Sequence, residues 1–121
     1  MKTVLVIDDD LQVRGYLARM LQKEGFSVMT AENGRQAEEH WTINSFDLVI
    51  TDLYMPEKEG IEIIQALRID FPDTKVIAIS GGGGGLGPFY SLKTAKFVGA
   101  DLVLEKPVGK AEILAGIQSV W

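Results

Sequence analysis

Three aspartates, a serine and a lysine are the residues of this chain whose placement could do chemistry. Asp8 and Asp9 follow the apolar run Thr3–Ile7, and Asp52 closes the run Leu48–Thr51. Ser80 ends Lys75–Ile79, and Lys106 comes just after Asp101–Leu104. Carboxylates gathered within a few ångströms repel one another. At an effective dielectric near ~20, two like charges ~4 Å apart cost about 4 kcal/mol. Such a group persists when protons neutralise it or when a cation joins it. Ligands that are all oxygen, with no His or Cys, point to a hard cation. Mg²⁺ comes first, because it accepts a few carboxylates together with water and a phosphoryl oxygen. Lys106 adds a positive charge on a flexible stem.

Each residue also has an ordinary reading. Asp readily bonds nearby backbone N–H groups, so Asp52 could be a turn or a helix cap, and a lone Asp8-Asp9 pair is usually a strand-end turn. A serine beside glycines is usually a loop residue, and a lysine before a proline is usually solvated. What outweighs these readings is their joint appearance at the ends of four strands.

Those strands alternate with helices. Thr3–Ile7 is followed by helical spacing over Leu11–Lys23, with Val13, Leu17, Met20 and Leu21 on one face, Asp10 as cap and Gly25 as stop. Ser27–Ala31 reads as a second strand, and Asn33-Gly34 turns into a helix over Arg35–Asn44. The third strand covers Asp47–Thr51, and the chain turns at Met55-Pro56. A helix over Gly60–Asp70 carries Ile61, Ile64, Leu67 and Ile69 as its apolar residues, and Pro72-Asp73 closes it. Lys75–Ile79 is strand four. Gly81 to Gly85, with Gly87, predict a floppy loop that delays the fourth helix to Pro88, running to Val98. Asp101–Leu104 is strand five, and Lys110–Val120 the last helix. Five β–α pairs without a repeat or linker predict one α/β domain, residues 1–121. The fold is flavodoxin-like and doubly wound, a parallel sheet of order 2-1-3-4-5 covered by five helices. Its switch point falls between strands one and three, where Asp8, Asp9 and Asp52 emerge.

Bulk properties bound the function. At 121 residues, 46% apolar and 24% charged, the chain reads as one soluble globular domain. No apolar run reaches the ~18 to 20 residues of a membrane helix, and no signal-peptide pattern opens the sequence. The absence of cysteine excludes disulfides and fits a cytoplasmic protein. A net charge of −5 argues against a direct grip on nucleic acid.

On Val6-Ile7-Asp8-Asp9-Asp10, Asp47–Asp52 with Met55-Pro56 and Gly60, Ser80, and Gly99-Ala100-Asp101 leading to Lys106-Pro107, the whole chain resembles a receiver domain of the two-component response regulators. The resemblance implies that Asp52 is the phospho-acceptor, served by a sensor histidine kinase or phosphotransfer protein. It implies Mg²⁺ on Asp9, Asp52 and the backbone carbonyl of Tyr54, with Asp8 acting through water. Ser80 and Lys106 would bind phosphoryl oxygens, and the Lys106-Pro107 peptide would be cis. The signal would pass to an output protein or a C-terminal effector domain.

Two features depart from the family pattern. Similar domains carry Tyr or Phe three residues before the lysine, where this chain has Val103, which cannot swing a ring between two environments. The glycine run lacks the order of a nucleotide-binding loop. A phosphorylation-independent interaction module is therefore a second reading. A Mg²⁺-dependent phosphohydrolase is a third and weaker one, since nothing in the sequence supplies a second acid/base or a cap. The expectation is a switch, not an enzyme. His40 lies among Glu38 and Glu39 and reads as solvated, and Trp41 reads as packing. Tyr54, two past the acceptor, would slow attack by water.

Overall fold

The computed structural model describes residues 2–53, 60–80, 99–105 and 108–121, with Gly60, Ile61 and Ser80 described by backbone alone. The strands are β1 (Thr3–Ile7), β2 (Ser27–Ala31), β3 (Leu48–Asp52), β4 (Lys75–Ser80) and β5 (Leu102–Glu105). The helices are α1 (Leu11–Lys23), α2 (Gly34–Ile43), α3 (Gly60–Asp70) and α4 (Lys110–Val120). All strand pairs are parallel, in the order β2-β1-β3-β4-β5. The doubly wound sheet predicted above is therefore the observed one. The predicted Pro88–Val98 helix, the glycine run, the Met55-Pro56 turn and the Lys106-Pro107 peptide lie outside the described residues. No helix among the described residues is long and apolar enough to cross a membrane.

Alternation along the strands splits the core in two, because successive side chains point to opposite faces. Leu5, Ile7, Val49, Leu53, Val76 and Ala78 face one way, against Ala37 and Trp41 of α2 and Ile63, Ile64 and Leu67 of α3. Val4, Val6, Leu48, Ile50, Ile77 and Ile79 face the other way, against α1 and α4. The central strands are thus buried on both sides, which is why their sequences are continuously apolar. Each fully buried Val, Leu or Ile stabilises the fold by roughly 1.5 to 3 kcal/mol relative to exposure.

Helix α1 starts and ends as its sequence dictates. The Asp10 carboxylate accepts the Gln12 and Val13 N–H groups at 2.9 and 3.3 Å. Gly25, at φ +95°, lets its own N–H reach the Gln22 carbonyl and the Phe26 N–H reach that of Leu21, both at 3.1 Å. That is a Schellman closure, which favours glycine at the left-handed position.

Several boundaries and faces differ from expectation. In α3, Ile63 is buried and Ile69 is 80% exposed, so the inward face runs through 63, 64 and 67. At 100° per residue, position 69 lies about 200° from 67, on the far side of the helix. Strand β3 extends to Asp52, whose backbone pairs with Ile79. β5 starts at Leu102, because Asp101 turns its carboxylate back to the Val76 N–H at 2.8 Å. α2 starts and ends one residue earlier than predicted, with Asn33 capping the Gln36 N–H at 2.9 Å. His40 is not simply solvated. It is half-buried, with Nε2 2.9 Å from the Thr30 carbonyl of β2.

The edge of the sheet where the strands begin is laced together by side chains. Asp47 Oδ2 accepts the Thr3 N–H at 2.8 Å and the Thr3 hydroxyl at 3.2 Å, tying β1 to β3. Arg68 of α3 donates to the carbonyls of Gly99, Pro72 and Thr74 and to the Asp101 carboxylate, at 2.8, 3.1, 2.6 and 2.7 Å. A planar five-donor fork suits such a cluster of acceptors. Gly99 sits at φ +118°, and a Cβ there would come within 3.0 Å of Arg68 Cγ and Nε.

Two outcomes follow from this lacing. Gly99→Ala should destabilise the fold by roughly 1 to 3 kcal/mol, read as a lower urea midpoint, because it combines backbone strain with a clash. The hydrogen bond from the Thr3 backbone holds the Asp47 carboxyl below its ordinary value; burial pushes it up, and the Thr3 hydroxyl and the Lys2 charge add further lowering. A depressed carboxyl adds stability above its unfolded pKa, and that stability is lost as pH falls through the folded pKa. Asp47→Asn should therefore be less stable than the natural protein at neutral pH, with the gap closing as pH drops below about 4. Thermal melting across pH 2 to 7 checks this, and a gap that stays constant contradicts it.

Candidate functional site

The β1–β3 register builds the site. Ile7 pairs with Thr51, so the next residue along each strand, Asp8 and Asp52, emerges at the same edge and side by side. Register between β3 and β4 sets Asp52 against Ile79, which puts the backbone of Ser80 one step further along that edge. Ser80 pairs in turn with Glu105, the residue before Lys106. One carboxylate oxygen from each of Asp8, Asp9 and Asp52 lies within 4.8 Å of the other two. Asp8 and Asp52 are buried, at 1% and 5% exposure, while Asp9 faces solvent.

Local bonds fix the backbone that carries the acids. The Asp8 N–H reaches the Ala31 carbonyl at 3.1 Å, and Asp8 Oδ1 accepts the Asp10 N–H at 2.9 Å. After the acid of β3, the Leu53 N–H continues the pairing to the Ile79 carbonyl at 3.0 Å. The buried Thr51 hydroxyl donates to the Asp52 carbonyl at 3.0 Å. Arg14, one turn into α1, places Nη1 2.8 Å from the Asp8 carbonyl. Sequence reading did not single out Arg14. Its only sequence signal is a basic residue six positions after the first acid, a spacing that helical geometry alone does not turn toward a strand end.

Of the predicted site residues, the structure thus brings Asp8, Asp9 and Asp52 together and sets the Ser80 backbone at the same edge. Tyr54, Lys106 and the Ser80 side chain lie outside the described residues. Val103 is half-buried and packs against the α2–α3 side of the core.

At a dielectric near ~20, two carboxylates 4.8 Å apart repel by about 3.5 kcal/mol. Burial sharpens that repulsion, because water screens Asp8 and Asp52 little. A trio of oxygen donors, two buried and one at the mouth, fits a hard divalent cation such as Mg²⁺. It does not fit a soft metal, since neither thiolate nor imidazole stands among the donors.

Comparison with known proteins agrees with this geometry. The family described as the response regulator receiver domain matches residues 4–118. The transcriptional regulatory protein CpxR of Escherichia coli is 35% identical over 120 residues, covering 99% of this chain and 49% of its own length. The chain spans about half the length of the curated relatives it matches. A response regulator receiver domain protein from Clostridium thermocellum superposes with a TM-score of 0.90 at 29% identity, covering 99% of this chain and 94% of that one. The response regulator TrrA of Thermotoga maritima, in complex with Mg²⁺ and BeF, superposes with a TM-score of 0.86 at 30% identity, over 100% of both chains. With the family match running from the second residue of β1 almost to the end of α4, this chain belongs to the response regulator receiver domain family.

Proposed function

We propose that Asp52 accepts a phosphoryl group from a sensor histidine kinase or phosphotransfer protein, and that the modified chain changes which output partner it binds. The domain is residues 1–121, it acts in the cytoplasm, and its partner is an output protein or an effector domain of the same polypeptide. The observation that carries this reading is the convergence of Asp8, Asp9 and Asp52 within 4.8 Å at the carboxyl edge of the sheet.

The chemistry is in-line displacement at phosphorus. An Asp52 carboxylate oxygen forms the new O–P bond while the bond to the donor's histidine nitrogen, or to an acyl-phosphate oxygen, breaks. The electron pair of the broken bond leaves with the donor. Burial at the end of a strand holds the Asp52 carboxylate in one direction, which supplies orientation that a loop residue would lack. Asp9 and Asp52, with the Tyr54 carbonyl and Asp8 through water, would hold Mg²⁺. When bound, that ion neutralises charge on the phosphoryl oxygens. Lys106 pairs with another phosphoryl oxygen, and the Ser80 hydroxyl donates to a third. Phosphorylation replaces one negative charge with a more negative group bearing three strong acceptors, and this draws Ser80 and Lys106 inward. Slow loss of its own phosphoryl group is the only turnover this machinery needs, so the chain is a switch and not an enzyme.

A second reading, a phosphorylation-independent interaction module, draws on Val103. Its side chain is packed against the core and has no ring to reorient when the site changes.

Incubation with acetyl phosphate and Mg²⁺ separates the readings. The natural protein should gain one adduct of about 80 Da by mass spectrometry, a phosphoryl group replacing a proton, and Asp52→Asn should gain none. An unmodified natural protein under saturating Mg²⁺ would favour the second reading. Steady release of many phosphates per chain would make it a phosphohydrolase.

A further inference from the structure

The peptide between the first two acids is gripped by a side chain that the proposed chemistry leaves unused. Nη1 of the half-buried Arg14 donates to the Asp8 carbonyl at 2.8 Å. That carbonyl belongs to the Asp8–Asp9 peptide plane, whose rotation sets the direction in which the Asp9 side chain leaves the backbone. Neighbouring bonds close a bracket around the same plane. The Asp10 N–H is held by Asp8 Oδ1 at 2.9 Å, and the Arg14 N–H bonds the Asp10 carbonyl at 2.9 Å. The Asp10 carboxylate meanwhile caps α1, so helix, turn and strand end are locked as one piece. Asp9 is the exposed member of the acid trio, and it has the least packing to hold it.

We infer that Arg14 is a positioning residue of the metal site, clamping the Asp8–Asp9 peptide so that the Asp9 carboxylate stays aimed at Asp8 and Asp52. The inference rests on the Mg²⁺ site proposed above. Its sign can be told apart from simple electrostatics. A guanidinium near a divalent-cation site repels that cation, so if charge ruled, removing Arg14 would tighten binding. If the clamp rules, removing it weakens binding, as loss of an outer partner does at other metal sites. Lysine keeps a charge and a donor but not the planar fork, so it should serve in part.

Calorimetric titration with Mg²⁺ alone decides the matter, using the natural protein, Arg14→Ala and Arg14→Lys. Thermal melting and amide exchange of the Mg²⁺-free proteins accompany it. The dissociation constant should rise about tenfold or more in Arg14→Ala and lie between the two in Arg14→Lys. The Asp9 and Asp10 amides should exchange faster in Arg14→Ala than in the natural protein while the β3 amides are unchanged, and unchanged Asp9 and Asp10 exchange counts against the clamp. If Arg14→Ala does not fold, weaker Mg²⁺ binding by a folded Arg14→Lys carries the test. Binding by Arg14→Ala as tight as, or tighter than, that of the natural protein overturns the clamp and leaves the metal site standing. A natural protein that takes up no Mg²⁺ overturns both.

Discussion

Strand register forces like charges together here, and most of the structure follows from that constraint. A carboxylate on a loose loop relieves repulsion by moving away. Asp52 cannot, because it is the last paired residue of a strand whose five residues are all buried. Asp8 is the residue after a strand buried from Val4 onward, and the Ile7–Thr51 pairing leaves it beside Asp52. Two fully charged, unscreened carboxylates 4.8 Å apart repel by about 3.5 kcal/mol, which is small against the two apolar layers that clamp the sheet but not against a net stability of ~5 to 15 kcal/mol. A fold can carry such a cluster when the elements beneath it are over-determined, and here five parallel strands packed on both faces provide that.

The two edges of the sheet gather carboxylates to different degrees. At the edge where the strands begin, Asp47 and Asp101 each accept a backbone N–H, and Asp101 also meets a guanidinium. The buried Thr74 hydroxyl donates to the Phe46 carbonyl at 3.0 Å, and the Lys75 N–H reaches the Asp47 carbonyl at 3.2 Å. These acids join the chain to itself. At the other edge Asp8 likewise accepts the Asp10 N–H, but there one oxygen from each of three carboxylates also lies within 4.8 Å of the other two. The first edge thus fastens the strands to one another, and the second collects negative charge.

How much of this could be read beforehand depends on how local the physics is. Strand existence and order were legible because both faces of β1, β3 and β4 are buried, which leaves continuous apolar runs. The acid trio was legible because residues at strand ends inherit their position from the sheet. The face of α3 was half right, since Ile64 and Leu67 fix a stripe but Ile61, Ile63 and Ile69 give three apolar choices for its flank. Only the packing of Ile63 decides between them. Asp101 was assigned to β5 because its run begins there, while its carboxylate is taken by β4 and by Arg68, 33 residues away. Arg14 and Arg68 were invisible for the same reason. Long flexible side chains find carbonyls through tertiary geometry that carries no periodic trace in the sequence.

The graded burial of the trio bears on how it can be used. Three exposed carboxylates would be hydrated and screened, and would repel too weakly to favour a cation strongly. Three fully buried ones would shed their charge by binding protons, as isolated buried acids do. Here Asp8 and Asp52 are buried and Asp9 lies at the surface, between those two extremes. The cost of that arrangement falls on Asp9, which must hold its direction without a packed environment. A backbone clamp from α1 meets that need, because Arg14 grips the carbonyl of the peptide bond that leads into Asp9.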